Sequence, residues 1–145
     1  MENEIISKIR AFNRYYVRVI GLLENTFLNS GYSLTDAHIL SVIKSQKDST
    51  ATSINKELNL DEGYLSRLIK KLTSKSLITK KQSLADKRIF VINLTEKGLI
   101  EYNKMDKLSS ELVKTNIEHL DLNQRLELAN LMEKVKLILK KNDTL

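Results

Sequence analysis

Eight cations, Arg67, Lys70, Lys71, Lys75, Lys80, Lys81, Lys87 and Arg88, fall within the 24 residues from Leu65 to Arg88, where the one acid is Asp86. This stretch carries +7; the other 121 of the 145 residues sum to −1, although the whole chain has a formal charge of +6. Ammonium and guanidinium groups at this density suit a polyanion, the phosphate backbone of a nucleic acid above all. A solvated basic face without a partner is the alternative, and the elements that carry the cations decide between the two.

Other chemistry is sparse. The chain has no cysteine, so disulfides, thiolate metal sites, thiol nucleophiles and thiol redox sensing are excluded. His38 and His119 are the two histidines. A lone His38 beside Asp36 falls short of the three or four ligands a metal site needs, and a structural role is the simpler assignment. There is no G-x-S-x-G elbow, phosphate-binding loop or carboxylate pair in a catalytic frame. The expectation is a protein that is not an enzyme and needs no metal or cofactor. No apolar run approaches the roughly 18 residues of a membrane span, and the opening MENEIISKIR carries two acids where a signal peptide needs a basic region. A cytoplasmic protein without membrane association is expected.

With no proline and four glycines, long helices are favoured. Ile5, Ile9, Phe12, Tyr16, Ile20 or Val19, Leu23 and Phe27 recur every three or four residues, a single helical stripe ended by Asn29-Ser30-Gly31. A second helix is predicted from Leu34-Thr35, with Thr35 as N-cap, to about Ser45, and a third from a Thr50 or Thr52 cap to Leu58. Asp61 caps a fourth over 61–75, whose Leu65, Leu68, Ile69 and Leu72 form a buried stripe opposite Arg67, Lys70, Lys71 and Ser74, with Ser66 at the border. The period then shortens to that of strands, Leu77 to Lys80 and Arg88 to Leu94, around a polar turn. Thr95 caps a further long helix, and Asp121 with Gln124 opens a last one by a capping box.

The predicted fold is mainly α with a small β-hairpin: a winged helix-turn-helix over 33–98, flanked by helical regions 1–30 and 99–145, within one domain of 145 residues. Three helices followed by a basic hairpin suit DNA, since the major groove, about 12 Å wide, admits one helix and a basic loop can reach the adjacent minor groove. The apolar stripes of both ends exceed what a 60-residue centre can cover, which suggests a homodimer.

The run Leu60-Asp61-Glu62-Gly63-Tyr64-Leu65-Ser66-Arg67-Leu68, then Leu72, Leu77-Ile78, Asp86-Lys87-Arg88 and Leu94-Thr95-Glu96-Lys97-Gly98, resembles the MarR family of bacterial transcription regulators. The resemblance covers Leu34 to Gly98 by motif and the flanking helices by pattern. It implies a recognition helix presenting Ser66, Arg67, Lys70 and Lys71, supported by Thr52 and Ser53 from the preceding helix. It also implies a wing over 81–89, flanked by Lys80 and carrying Lys81, Lys87 and Arg88, in which Asp86 orients the Arg88 guanidinium. Ser76 stands where the family usually has glycine, which predicts either a strained φ at that turn or a slightly different geometry. Lys80 stands where arginine is common, a point charge in place of a fork.

The function implied is a homodimeric repressor that binds near-palindromic double-stranded DNA. A small-molecule effector is also implied, with Tyr15, Tyr16, Arg18, Tyr32 and His38 as candidates to line its cleft, although tyrosines on a helical stripe equally suit a core. Asp86 with Arg88 equally suits a structural ion pair. The alternative function is a protein-interaction module that uses the winged helix as a scaffold without reading DNA.

Overall fold

Five of the six described helices begin where a short polar side chain meets unpaired backbone N–H groups. In the computed structural model, which describes residues 1–20 and 30–140, the order is α1 (Glu2–Val19), α2 (Leu34–Ser45), α3 (Ala51–Leu58), α4 (Glu62–Ser74), β1 (Ile78–Gln82), β2 (Phe90–Leu94), α5 (Glu96–Ile117) and α6 (Leu122–Leu139). Thr50 and Ser53 form a reciprocal capping box at α3, and Asp121 and Gln124 form another at α6. Asp61 accepts from the Tyr64 amide, and the Thr95 hydroxyl accepts from the Gly98 amide.

At α2 the cap is Ser33, not Thr35. The Ser33 hydroxyl accepts from the Asp36 amide and the Asp36 carboxylate accepts from the Ser33 amide, both at 3.0 Å. A serine followed three positions later by an acid satisfies two orphan donors; Thr35 has no such partner and lies in the first turn.

Within the unit Met1–Ser110, the core joins Ile39, Leu40 and Ile43 of α2, Ile54 of α3, the four predicted residues of α4, and Leu77, Ile78, Ile92 and Met105. Asn59 closes α3 in the left-handed conformation, φ 51°. The Asn55 side chain then both donates to the Leu60 carbonyl and accepts from the Leu60 amide, which fixes the turn into α4. The strands pair antiparallel with Lys80 opposite Ile92, and buried Ser49 adds a bridge by accepting from the Ile92 amide at 2.7 Å. β2 begins at Phe90, later than the spacing predicts, because Arg88 is bonded to Asp86 within the turn.

Ser76 has φ 62°, the left-handed turn expected from a serine in glycine's place. Gly98 packs on the same turn: a methyl group there would collide with the Leu77 carbonyl oxygen.

Neither α1 nor α6 buries a residue. Ile5, Ile9 and Phe12 of α1 are about half exposed, and Leu23 and Phe27, predicted to continue their stripe, lie outside the described residues, as does Asn29 of the predicted stop. In the second unit, Glu111–Leu145, Leu126, Leu131, Met132, Val135 and Ile138 of α6 are exposed.

Candidate nucleic-acid interface

Burial of Leu65, Leu68, Ile69 and Leu72 fixes the rotation of α4 about its axis and leaves Glu62, Gly63, Ser66, Arg67 and Lys70 outward. Beside this face a groove of about 790 Å³ opens between α4, α3 and the hairpin. Thr52 and Lys56 line it from α3, Glu62 and Ser66 from α4, and Lys80 and Arg88 from the hairpin, over a floor that includes Leu65, Ile69, Phe90 and Ile92.

Four of the predicted residues, Thr52, Ser66, Lys80 and Arg88, therefore share one groove. Arg67 and Lys70 are exposed on the adjoining front of α4, and the Arg67 guanidinium lies 5.9 Å from the Tyr64 ring centroid. The Lys80 ammonium stands 5.0 Å over the Phe90 ring, an apolar support for its stem. Lys81 and Lys87 are exposed on the hairpin.

The wing tip is tightly bonded. The Ser83 amide donates to the Ile89 carbonyl, the Ile89 amide to the Asp86 carbonyl, and the Gln82 side-chain amide to the Lys87 carbonyl at 2.6 Å. Asp86 accepts from the Arg88 backbone amide and Nε through one oxygen and from Nη2 through the other, at 3.0–3.1 Å. The Arg88 side chain, followed by its amide, holds the Asp86 carboxyl below the usual carboxylate range, and the same bond raises Arg88. The fork-on-carboxylate geometry that the motif implies is present, and it aims the guanidinium while leaving it exposed.

Two predicted residues are committed inward. The Ser53 hydroxyl accepts from the Thr50 amide and donates to Gln46 Oε1, both at 2.8 Å, so it serves the α3 cap. Lys71 does not stand free on the front of α4: its ammonium is 2.7 Å from Asp36 Oδ2, a carboxylate only 1% exposed whose other oxygen has no hydrogen-bond partner. Lys71 precedes Leu72 at the margin of the buried stripe, and its side chain reaches the first turn of α2 while staying partly exposed.

Lys56 and Glu62 were not predicted as interface residues. Lys56 follows Thr52 by four positions, and that spacing alone places both on one face of α3.

Of the five residues predicted for an effector cleft, His38 lines a recess of about 140 Å³ with Leu34, Ala37, Ser41, Tyr102, Met105, Asp106 and Ser109. Tyr32 lies under the Lys75 ammonium, 4.9 Å from its ring, and its hydroxyl is raised by burial, then by the charges of Glu101 and Asp36. Tyr15, Tyr16 and Arg18 lie on α1, where Tyr16 stacks on Phe12.

The comparisons with known proteins agree with this fold. MarR from E. coli, solved as a cysteine-to-serine variant complexed with operator DNA, shares 25% of residues, covers 93% of this chain and 97% of its own, and superposes with a TM-score of 0.75. BpsR of Bordetella bronchiseptica, whose DNA binding is regulated by 6-hydroxynicotinic acid, shares 18% over 90% of this chain and 98% of its own, with a TM-score of 0.72. YdgJ, an uncharacterized HTH-type transcriptional regulator of Bacillus subtilis (strain 168), is 21% identical over 135 residues, which span 93% of this chain and 79% of YdgJ. Fold and family are those of transcriptional regulators, not of enzymes. Residues 26–108 match the family model of the transcriptional regulator SarA/Rot, and with a MarR-like winged helix carrying the matched segment, the chain belongs to the SarA/Rot family of transcriptional regulators.

Proposed function

We propose that this regulator is a homodimeric, sequence-specific repressor that occupies a near-palindromic DNA site, with α4 in the major groove and the wing over 81–89 in the adjacent minor groove. The observation that carries this reading is the groove itself, which an exposed basic helix face and a stiffened basic hairpin flank on either side. Thr52, Lys56, Ser66, Arg67, Lys70, Lys80, Lys81, Lys87 and Arg88 are the contacts, with Asp86 as the orienting acid and Lys71 and Ser53 as supports. The lobe 33–98 binds DNA, and the regions 1–30 and 99–145 form the dimer. A regulator of this kind works in the cytoplasm beside the DNA; among the described residues no helix is long and apolar enough to cross a membrane.

A small-molecule effector belongs to the same reading. BpsR is regulated in this way, and the His38 recess between α2 and α5 is where we assign the corresponding event here.

Charge reversal tests the interface. Arg67→Glu with Lys70→Glu removes two cations from an exposed face and adds two acids, so it should abolish retardation of a selected duplex while the oligomeric state and thermal unfolding stay unchanged. With about six to ten phosphates contacted per dimer, wild-type affinity should fall by about 10³ to 10⁵ between 50 and 200 mM salt. Undiminished DNA binding by the reversed variant, or a salt slope near zero, overturns the reading.

A further inference from the structure

Glu62 is an acid in the groove that the cations define. It lines that groove with Lys56, Lys80 and Arg88, and no ion pair among the described residues includes it. An acid in the first turn of a helix usually serves the cap or the helix dipole, but Asp61 already fills both roles: its carboxylate sits at the same helix end and accepts from the Tyr64 amide at 3.0 Å. A second carboxylate facing phosphates costs affinity unless it gains something else.

The major groove offers that gain. Cytosine presents its exocyclic N4 amine there, a donor with no acceptor beside it on the same base. Guanine presents two acceptors and thymine one, which repel a carboxylate, and adenine sets an acceptor next to its donor. In helix-turn-helix proteins the N-terminal residues of the recognition helix are those that reach base edges, and Glu62 is the first residue of α4. Ser66, one turn on, shares its edge of the helix. Gly63 beside it carries no side chain, so the helix backbone can approach the bases closely. The Arg67 guanidinium lies beside this gap, with Nη1 3.8 Å from where a Gly63 methyl would stand. A carboxylate acceptor and a guanidinium donor thus flank one side-chain-free step at the helix tip.

We propose that Glu62 is a specificity-determining residue whose carboxylate accepts from the N4 amine of a cytosine, so that each half-site carries a C·G pair facing the first turn of α4. The proposal rests on the DNA-binding reading above.

Selection from a randomised duplex library, run on the full chain with wild type, Glu62→Gln and Glu62→Ala, tests it. Wild type should enrich cytosine at one position of each half-site, where replacing that base weakens binding by about 5- to 150-fold. Glu62→Gln should move the preference at that position to adenine, whose N6 and N7 match a carboxamide. Glu62→Ala should flatten it while the other positions keep theirs. Identical base preferences in all three proteins overturn the proposal. So does uniformly tighter binding of every sequence by both variants, which would make Glu62 a repelling charge and no more. A wild type that enriches no sequence refutes the DNA-binding reading itself, and this inference with it.

Discussion

Asp86 and Arg88 lie two positions apart, and their side chains can meet only if the chain turns between them, so each stabilises the turn that lets the other bond. Because the folded Asp86 carboxyl is held below its ordinary range, the bond's contribution is complete above the unfolded value and is lost as pH falls through the depressed one. The Arg88 Nε–H resonance of the free protein should therefore stay unchanged from pH 8 to about 5 and move only in the acid range below about 4. Asp86→Asn should weaken DNA binding without altering its salt slope, since the cation remains. Arg88→Ala should lower that slope by about one contact; equal slopes in the two variants would show that the guanidinium serves the wing alone. Ser76 bears a different local strain. A left-handed L-residue costs about 1–2 kcal/mol, part of which glycine returns through its freer unfolded chain. Ser76→Gly should raise the stability to urea by roughly 0.5–1 kcal/mol at constant m-value. Both features were legible through the family resemblance, which supplied the D-x-R pair and the glycine that Ser76 replaces.

Elements were legible where period and cap coincide. In α4 an Asp cap and four apolar residues at helical spacing leave a single rotation, and the structure shows it. The fate of Lys71 was not legible, because its partner Asp36 lies 35 positions away on another helix and no local pattern links them. The pair braces α4 against α2. Lys71→Met would leave the buried Asp36 carboxylate unmatched; full burial of both partners makes such a loss worth about 3–5 kcal/mol, and the partial exposure of Lys71 reduces it to roughly 1–3. Thermal or urea unfolding should register that loss, whereas the salt slope of DNA binding should not change. A slope reduced by about one would mean that Lys71 contacts a phosphate after all. Gly98→Ala should destabilise by a further mechanism, since its methyl meets backbone and not a side chain that can yield; a loss of about 2 kcal/mol or more in urea unfolding is expected.

For the whole molecule, α1 and α6 pose one question: each is an 18-residue helix that buries nothing. Intrinsic propensity barely sustains a helix of that length in water, and apolar faces this long mark an interface. The stripes were legible as stripes, but which surface covers them leaves no trace in local spacing. The proposed dimer makes the answer measurable. Leu131 and Val135 stand one turn apart on α6, both about half exposed, and glutamate at both would set two charges into the interface. The double variant should sediment as a monomer. Its affinity for a two-half-site duplex should fall by about 10² to 10⁴, because the second contact is no longer intramolecular, while its affinity for a single half-site stays that of wild type. The same loss should follow from altering the DNA alone. Five base pairs inserted between the half-sites turn one of them about half a helical turn away, so wild type on that duplex should bind as weakly as the monomeric variant does. If the insertion is tolerated while the double variant still fails, the fault of the variant lies in its folding and not in lost bivalency.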